Sequence, residues 1–222
     1  MGTRHFFRYH GLSIVMLGLF FVTLIGLILA GRAEYNDQQR QHALHEATFV
    51  EYLGTGHLWQ AVAENWESEF LQMGAFIYLT AVLFQKGSPE SKDPDKNDAP
   101  HDEDPRQKSA DPNAPWPVRK GGWVLKLYEH SLSMAFMLIF VFSFAGHAIA
   151  GRVAYSHEQV IQGQPPVSLI EYVESGRFWF ESMQNWQSEF LSIAAMVILG
   201  IFLRERGSKE SKPVATPHWE NE

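Results

Sequence analysis

Apolar residues fall into four blocks separated by strongly polar stretches. The clearest runs from Gly11 to Gly31 without a charge. At about 1.5 Å per helical residue, that length crosses a hydrocarbon core of roughly 30 Å. A second uncharged block covers Phe70–Phe84, a third Ser131–Gly151 and a fourth Phe190–Leu203. The second and fourth are short for a span. They are expected to begin at Trp66 and Trp186, with Asn65 and Asn185 just before them, because an indole anchors at the membrane–water interface. The pattern predicts an all-α integral membrane protein, a four-helix bundle with spans at about 11–31, 66–84, 131–151 and 186–203.

The polar stretches between paired spans, residues 32–65 and 152–185, are too long for plain turns. Thr48-Phe49-Val50-Glu51 and Ser168-Leu169-Ile170-Glu171 both fit a capping box, in which the hydroxyl and the Glu carboxylate each accept a backbone N–H at a helix start. A short helix should follow each cap and stop near Gly56 or Gly176, since glycine takes the left-handed conformation that ends helices. The apolar residues after it, Leu58, Trp59 and Val62, and then Phe178, Trp179, Phe180 and Met183, suit an interfacial helix lying on the membrane. A fold packed over the bundle is the alternative.

Shifting the chain by 120 residues aligns 10–92 with 130–212 without a gap, with about a third of positions identical. His10, Leu12 and Ser13 fall on His130, Leu132 and Ser133; Ala30-Gly31-Arg32 on Ala150-Gly151-Arg152; Tyr35 on Tyr155; Tyr52 on Tyr172. The densest match is a shared N-W-x-S-E-F-L, Asn65–Leu71 and Asn185–Leu191. Each unit crosses twice, so the two repeats are parallel. The organisation expected is a first two-span repeat at 1–92, a disordered cytoplasmic linker at 93–119, a second repeat at 120–212 and a cytoplasmic tail at 213–222. The linker reading rests on composition, since residues 85–119 hold seven of the eleven prolines and almost no large apolar side chain.

Basic residues set the orientation. Arg4, Arg8, Lys86, Lys92, Arg119, Lys120, Lys126, Arg204, Arg206, Lys209 and Lys212 flank one set of span ends, against Arg32, Arg40, Arg152 and Arg177 on the other. The positive-inside rule then places both termini and the linker in the cytoplasm. A cleaved signal peptide is not favoured for the first block, whose apolar stretch exceeds a usual signal core.

Composition alters this picture little. The absence of cysteine removes disulfides and thiolate metal sites. The net charge of -7 comes largely from the linker and tail. No cofactor, metal or nucleic acid is expected; the partners expected are the lipid bilayer and a second copy or another membrane protein.

Candidate chemistry is sparse. Arg32 and Arg152 follow spans one and three, while Glu69 and Glu189 begin spans two and four, so an Arg–Glu pair in each repeat could clamp two helices or gate a pathway. His10 and His130 occupy matching inner positions where two imidazoles could converge on a haem or metal, although a polar anchor is the commoner role. His147 aligns with Leu27 and stands outside the duplicated scheme. Gly18 and Gly26 would permit close helix approach. Phosphate loops, zinc-protease motifs and nucleophile elbows are absent from the sequence, so no enzymatic activity is expected.

The tandem AGR…NWxSEF pattern resembles an uncharacterised bacterial family of multipass membrane proteins defined by a domain of unknown function. The resemblance covers nearly the whole chain apart from linker and tail. It implies a bacterial inner-membrane location and carries no activity, cofactor or functional residue. Three functions stay open: a non-enzymatic scaffold or accessory subunit, a small transporter or channel between the repeats, and a haem- or quinone-binding redox subunit.

Overall fold

The structure, a computed structural model, describes residues 3–91 and 103–218. The described residues form helices and connecting loops with no strand. The order is α1 (Thr3–Gln41), α2 (Phe49–Leu53), α3 (Gly56–Val82), a 3-10 turn (Pro105–Lys108), α4 (Trp116–Lys120), α5 (Gly122–Glu129), α6 (Ser131–Ile161), α7 (Leu169–Glu174) and α8 (Gly176–Phe202).

Three of these helices are long and apolar enough to cross a membrane: Tyr9–Gln41 of α1, α6 and α8. Their apolar side chains are left uncovered by the rest of the chain, as at Leu12 (79% exposed) and Phe142 (68%). Such surface is tolerable where lipid covers it. The fourth expected span lies in α3, which does not reach the same standard. Glu64, Glu67 and Glu69 crowd its first half, and the helix ends at Val82, soon after the apolar run begins at Phe70.

The chain divides into two compact bodies. The first, Met1–Val62 with Gly146–Ser175, holds α1, α2, α7, the first turns of α3 and the last half of α6. Its core gathers Ala47, Tyr52, Leu58 and Val62 against Leu24, Ile28, Tyr35 and Leu53. The second body, Ala63–Ala145 with Gly176–Glu222, holds the rest. Aromatic rings dominate it. Phe144 meets Phe178 edge-on at 5.3 Å, Phe140 meets Trp186 at 6.0 Å, and Phe70 lies 5.9 Å from Phe136. Gln72 ties α3 to α8 by donating to Ser192 Oγ (3.0 Å) and to the Glu189 carbonyl (3.2 Å).

Both expected capping boxes are present, with Thr48 and Ser168 as N-caps and Glu51 and Glu171 closing them. Four other expectations need correction. The helix that carries span one does not end at Gly31, because α1 continues unbroken to Gln41. Gly31 and Gly151 are there for close approach: a Cβ on either would collide with the hydroxyl of Tyr52 or Tyr172. Gly56 and Gly176 do not end the short helices but open α3 and α8. At Gly56 a Cβ would come within 2.8 Å of the Ala150 carbonyl oxygen.

Nor do Leu58–Val62 and Phe178–Met183 form separate helices, since they are the first turns of α3 and α8. No Gly or Pro stands between these residues and the apolar runs to break the helix there. Finally, Gly18 and Gly26 approach no other helix of the chain; nothing lies within 4 Å of a Cβ built on either.

Part of the linker also departs from expectation. Residues 93–102 lie outside the described residues, but the rest carries the Pro105–Lys108 turn and α4, packed on α5 with Val118 and Leu125 buried. Lys120 Nζ sits 4.8 Å over the Trp116 ring, an exposed cation–π contact worth about 0.5–1 kcal/mol. The described tail packs back on α8: Arg204 Nη2 donates to the Thr216 carbonyl (3.1 Å) and Lys212 Nζ to that of His218 (2.7 Å).

Candidate functional site in the first body

Two hairpins in the first body are built alike. Arg32 Nε donates to the Ala47 carbonyl and Arg152 Nε to that of Val167, each at 3.0 Å. Asn36 grips both the N–H and the carbonyl of Ala47, at 2.8 and 3.0 Å, and Ser156 does the same to Val167 at 3.2 Å. A side chain from the long helix thus satisfies the backbone of a loop that would otherwise bury polar groups unpaired. The loop then enters the capped short helix, whose tyrosine, Tyr52 or Tyr172, is almost wholly buried against Gly31 or Gly151.

On this frame one cluster is not duplicated. His57 matches Arg177 in the 120-residue alignment, and His157 matches Asp37. The two imidazoles line one cavity of about 160 Å³ together with Tyr35, Gln38 and Glu158. That volume accommodates a molecule about the size of one benzene ring. Tyr35 is its centrepiece: its ring lies 5.6 Å from His57, 6.0 Å from His157 in a stacked arrangement, and 5.8 Å from Tyr52.

The polar contacts assign roles. Tyr52 Oη is 3.1 Å from His57 Nδ1. Burial, helped by the charge of Glu34 and by Tyr35, pushes the Tyr52 phenol up to about 12, so it stays protonated. Burial pushes His57 below the usual histidine range, against the pull of Glu34 and Glu158, so this imidazole favours the neutral form. A protonated phenol beside a neutral imidazole donates to Nδ1, which leaves the proton of His57 on Nε2. His157 Nε2 lies 3.3 Å from Gln39 Oε1 and 3.5 Å from Tyr35 Oη. The cavity therefore offers a hydrogen-bond donor, acceptors and an aromatic face in a small volume.

The residues singled out from sequence are placed as follows. Arg32 and Arg152 serve the loops just described. Glu69 and Glu189 both lie in the second body, within range of each other's charge. Trp66 is exposed, as an interface anchor requires, and stacks edge-on against Phe70. The Trp186 indole N–H donates to the carboxylate of the fully buried Glu67 at 3.0 Å. Asn185 Nδ2 donates to Glu64 (2.5 Å), and the Asn65 carbonyl accepts from Ser68. His10 and His130 are exposed, one in each body, and His147 is completely buried.

The model of one family, a domain of unknown function (DUF6766), matches residues 3–222. The chain belongs to the DUF6766 family. The match takes in the linker and tail that the sequence resemblance had left aside. No curated protein and no solved structure matches the chain. In this DUF6766 chain His57 and His157 were absent from the sequence-level candidates, which followed positions shared by the two halves. The signal that finds them is the reverse: polar, titratable residues where the halves disagree.

Proposed function

We propose that this DUF6766 chain is a non-enzymatic, multi-pass protein of a bacterial inner membrane, an accessory subunit whose outer body receives a small hydrogen-bonding solute in the His57–His157 cavity. The observation that supports this reading is that two histidines outside the duplicated pattern line a single cavity built on a duplicated frame. Four spans in two parallel repeats, with both termini inside, fit the distribution of basic residues, the fourth span being the apolar run of α3.

Native mass spectrometry with an absorbance spectrum, on protein gently extracted from its own membranes, tests the reading. A stoichiometric protein partner, or a homo-oligomer with a small solute lost in His57→Gln, is the expected result. A bound chromophore would replace it with the redox reading. Liposome flux abolished by Glu69→Gln and Glu189→Gln at unchanged folded yield would replace it with transport.

A further inference from the structure

At the far end of α3 and α8, within the second body, an apolar trough of about 280 Å³ is lined by Phe76, Leu79, Leu83, Phe190, Ile193 and Val197. Gln85, Glu90 and Ser91 close one end of it. The loop that brings Glu90 there is held by its own contacts. Ser91 Oγ accepts from the Gln85 N–H at 2.8 Å and closes residues 85–91 into a ring. Gly87 makes the turn at φ +85°, where a Cβ would lie 2.6 Å from the His218 carbonyl oxygen. Pro89 rests on Gly200, its Cδ 3.3 Å from where a Cβ would be.

Glu90 Oε1 is enclosed at this end and meets no hydrogen-bond partner among the described residues. An enclosed carboxylate oxygen without a donor is costly, so it calls for a ligand that brings one. We propose that the trough holds one acyl chain of a phospholipid whose head carries a primary ammonium, the ethanolamine class, with that ammonium donating to Glu90. The apolar walls select a chain, and the carboxylate selects an N–H cation over a quaternary one or an anionic head. Burial, together with the charge of Glu210, raises the affinity of Glu90 for a proton, and an ammonium head answers the same need. The proposal rests on reading α3 and α8 as spans whose ends near residues 83–91 lie at headgroup depth.

The test is native mass spectrometry of delipidated full-length protein titrated with dioleoyl phosphatidylethanolamine, phosphatidylcholine or phosphatidylglycerol. The expected result is one ethanolamine lipid retained at least five-fold over either of the others. Glu90→Gln should remove that preference, and Ile193→Trp, which fills the trough, should lower retention of all three, with helix content unchanged by circular dichroism. Equal retention of the three lipids, a preference for phosphatidylglycerol, or an ethanolamine preference that survives Glu90→Gln would overturn the site. Release of the chain from membranes by alkaline carbonate would instead overturn the membrane reading beneath it.

Discussion

The two hairpins of the first body share a frame and differ in chemistry. Each has the long helix, the arginine on a loop carbonyl, the capping box and the tyrosine seated against a glycine. Yet the residue that follows Gly56 is a histidine bonded to Tyr52, whereas Arg177, which follows Gly176, is engaged in an i,i+4 ion pair with Glu181 at 2.8 Å. Asn36 makes the bonds of one loop and Ser156 those of the other. What both copies keep is the means of holding a loop on a helix. What only one keeps is a set of groups that can bind and titrate.

The comparison can be broken most forcefully at its glycines. Gly31→Val and Gly151→Val should each destabilise the protein by about 1–3 kcal/mol, the usual cost of overpacking, and by similar amounts, read as melting temperature in detergent. Tyr52→Phe, which deletes the hydroxyl in the way, should recover part of the loss at Gly31 and none at Gly151. Unequal losses at the two glycines would show that the hairpins are not equivalent supports.

The caps give a smaller effect. Thr48→Ala and Ser168→Ala should each cost about 1 kcal/mol. Glu51 and Glu171 are held below the usual carboxylate range by the backbone N–H of Thr48 or Ser168, then by its hydroxyl. Their contribution is therefore full above the unfolded value of 4.5 and lost as the pH falls through the lower folded values. Melting curves from pH 6 to pH 3 should show this loss in the native chain and a weaker one in Thr48→Ala.

The smallest effect separates the two hairpins. Because the folded His57 binds its proton less readily than the unfolded chain does, stability is complete above pH 6.5 and declines as the pH drops below it. Tyr52 and Tyr35 lie against that imidazole, Glu34 and Glu158 act on it through their charge, and His157 lines the same cavity. His57→Gln should flatten the decline between pH 6.5 and 5.5, while Arg177→Gln should leave it as it is. An acid response unaltered by His57→Gln would move the titrating group elsewhere.

Much of the frame was legible in the sequence because it depends on local chemistry. A hydroxyl three residues before a glutamate caps a helix wherever it occurs, and an uncharged apolar run long enough to span is visible by inspection. The errors arose where a residue answers to a distant partner. Gly31 read as a helix end, but its reason is the hydroxyl of Tyr52, twenty-one residues on. The partner of the Trp186 N–H, the buried Glu67, is 119 residues away and could not be read from the sequence. His57 and His157 are a hundred residues apart and conform to no spacing motif, so only the fold brings them to one cavity.

The unbroken course of α1 has a mechanical meaning. A helix of 39 residues is about 58 Å long, nearly twice the thickness of a hydrocarbon core, and no Pro or bulge softens it where lipid gives way to water. Set in a bilayer, it would act as a stiff lever with its fulcrum there. A thinner membrane accommodates a long span by tilting it, and a tilt of about 10° swings an end 25 Å beyond the fulcrum by roughly 4 Å. Tyr35 rides on that end, so changes in bilayer thickness would arrive at the cavity as displacement of its central ring.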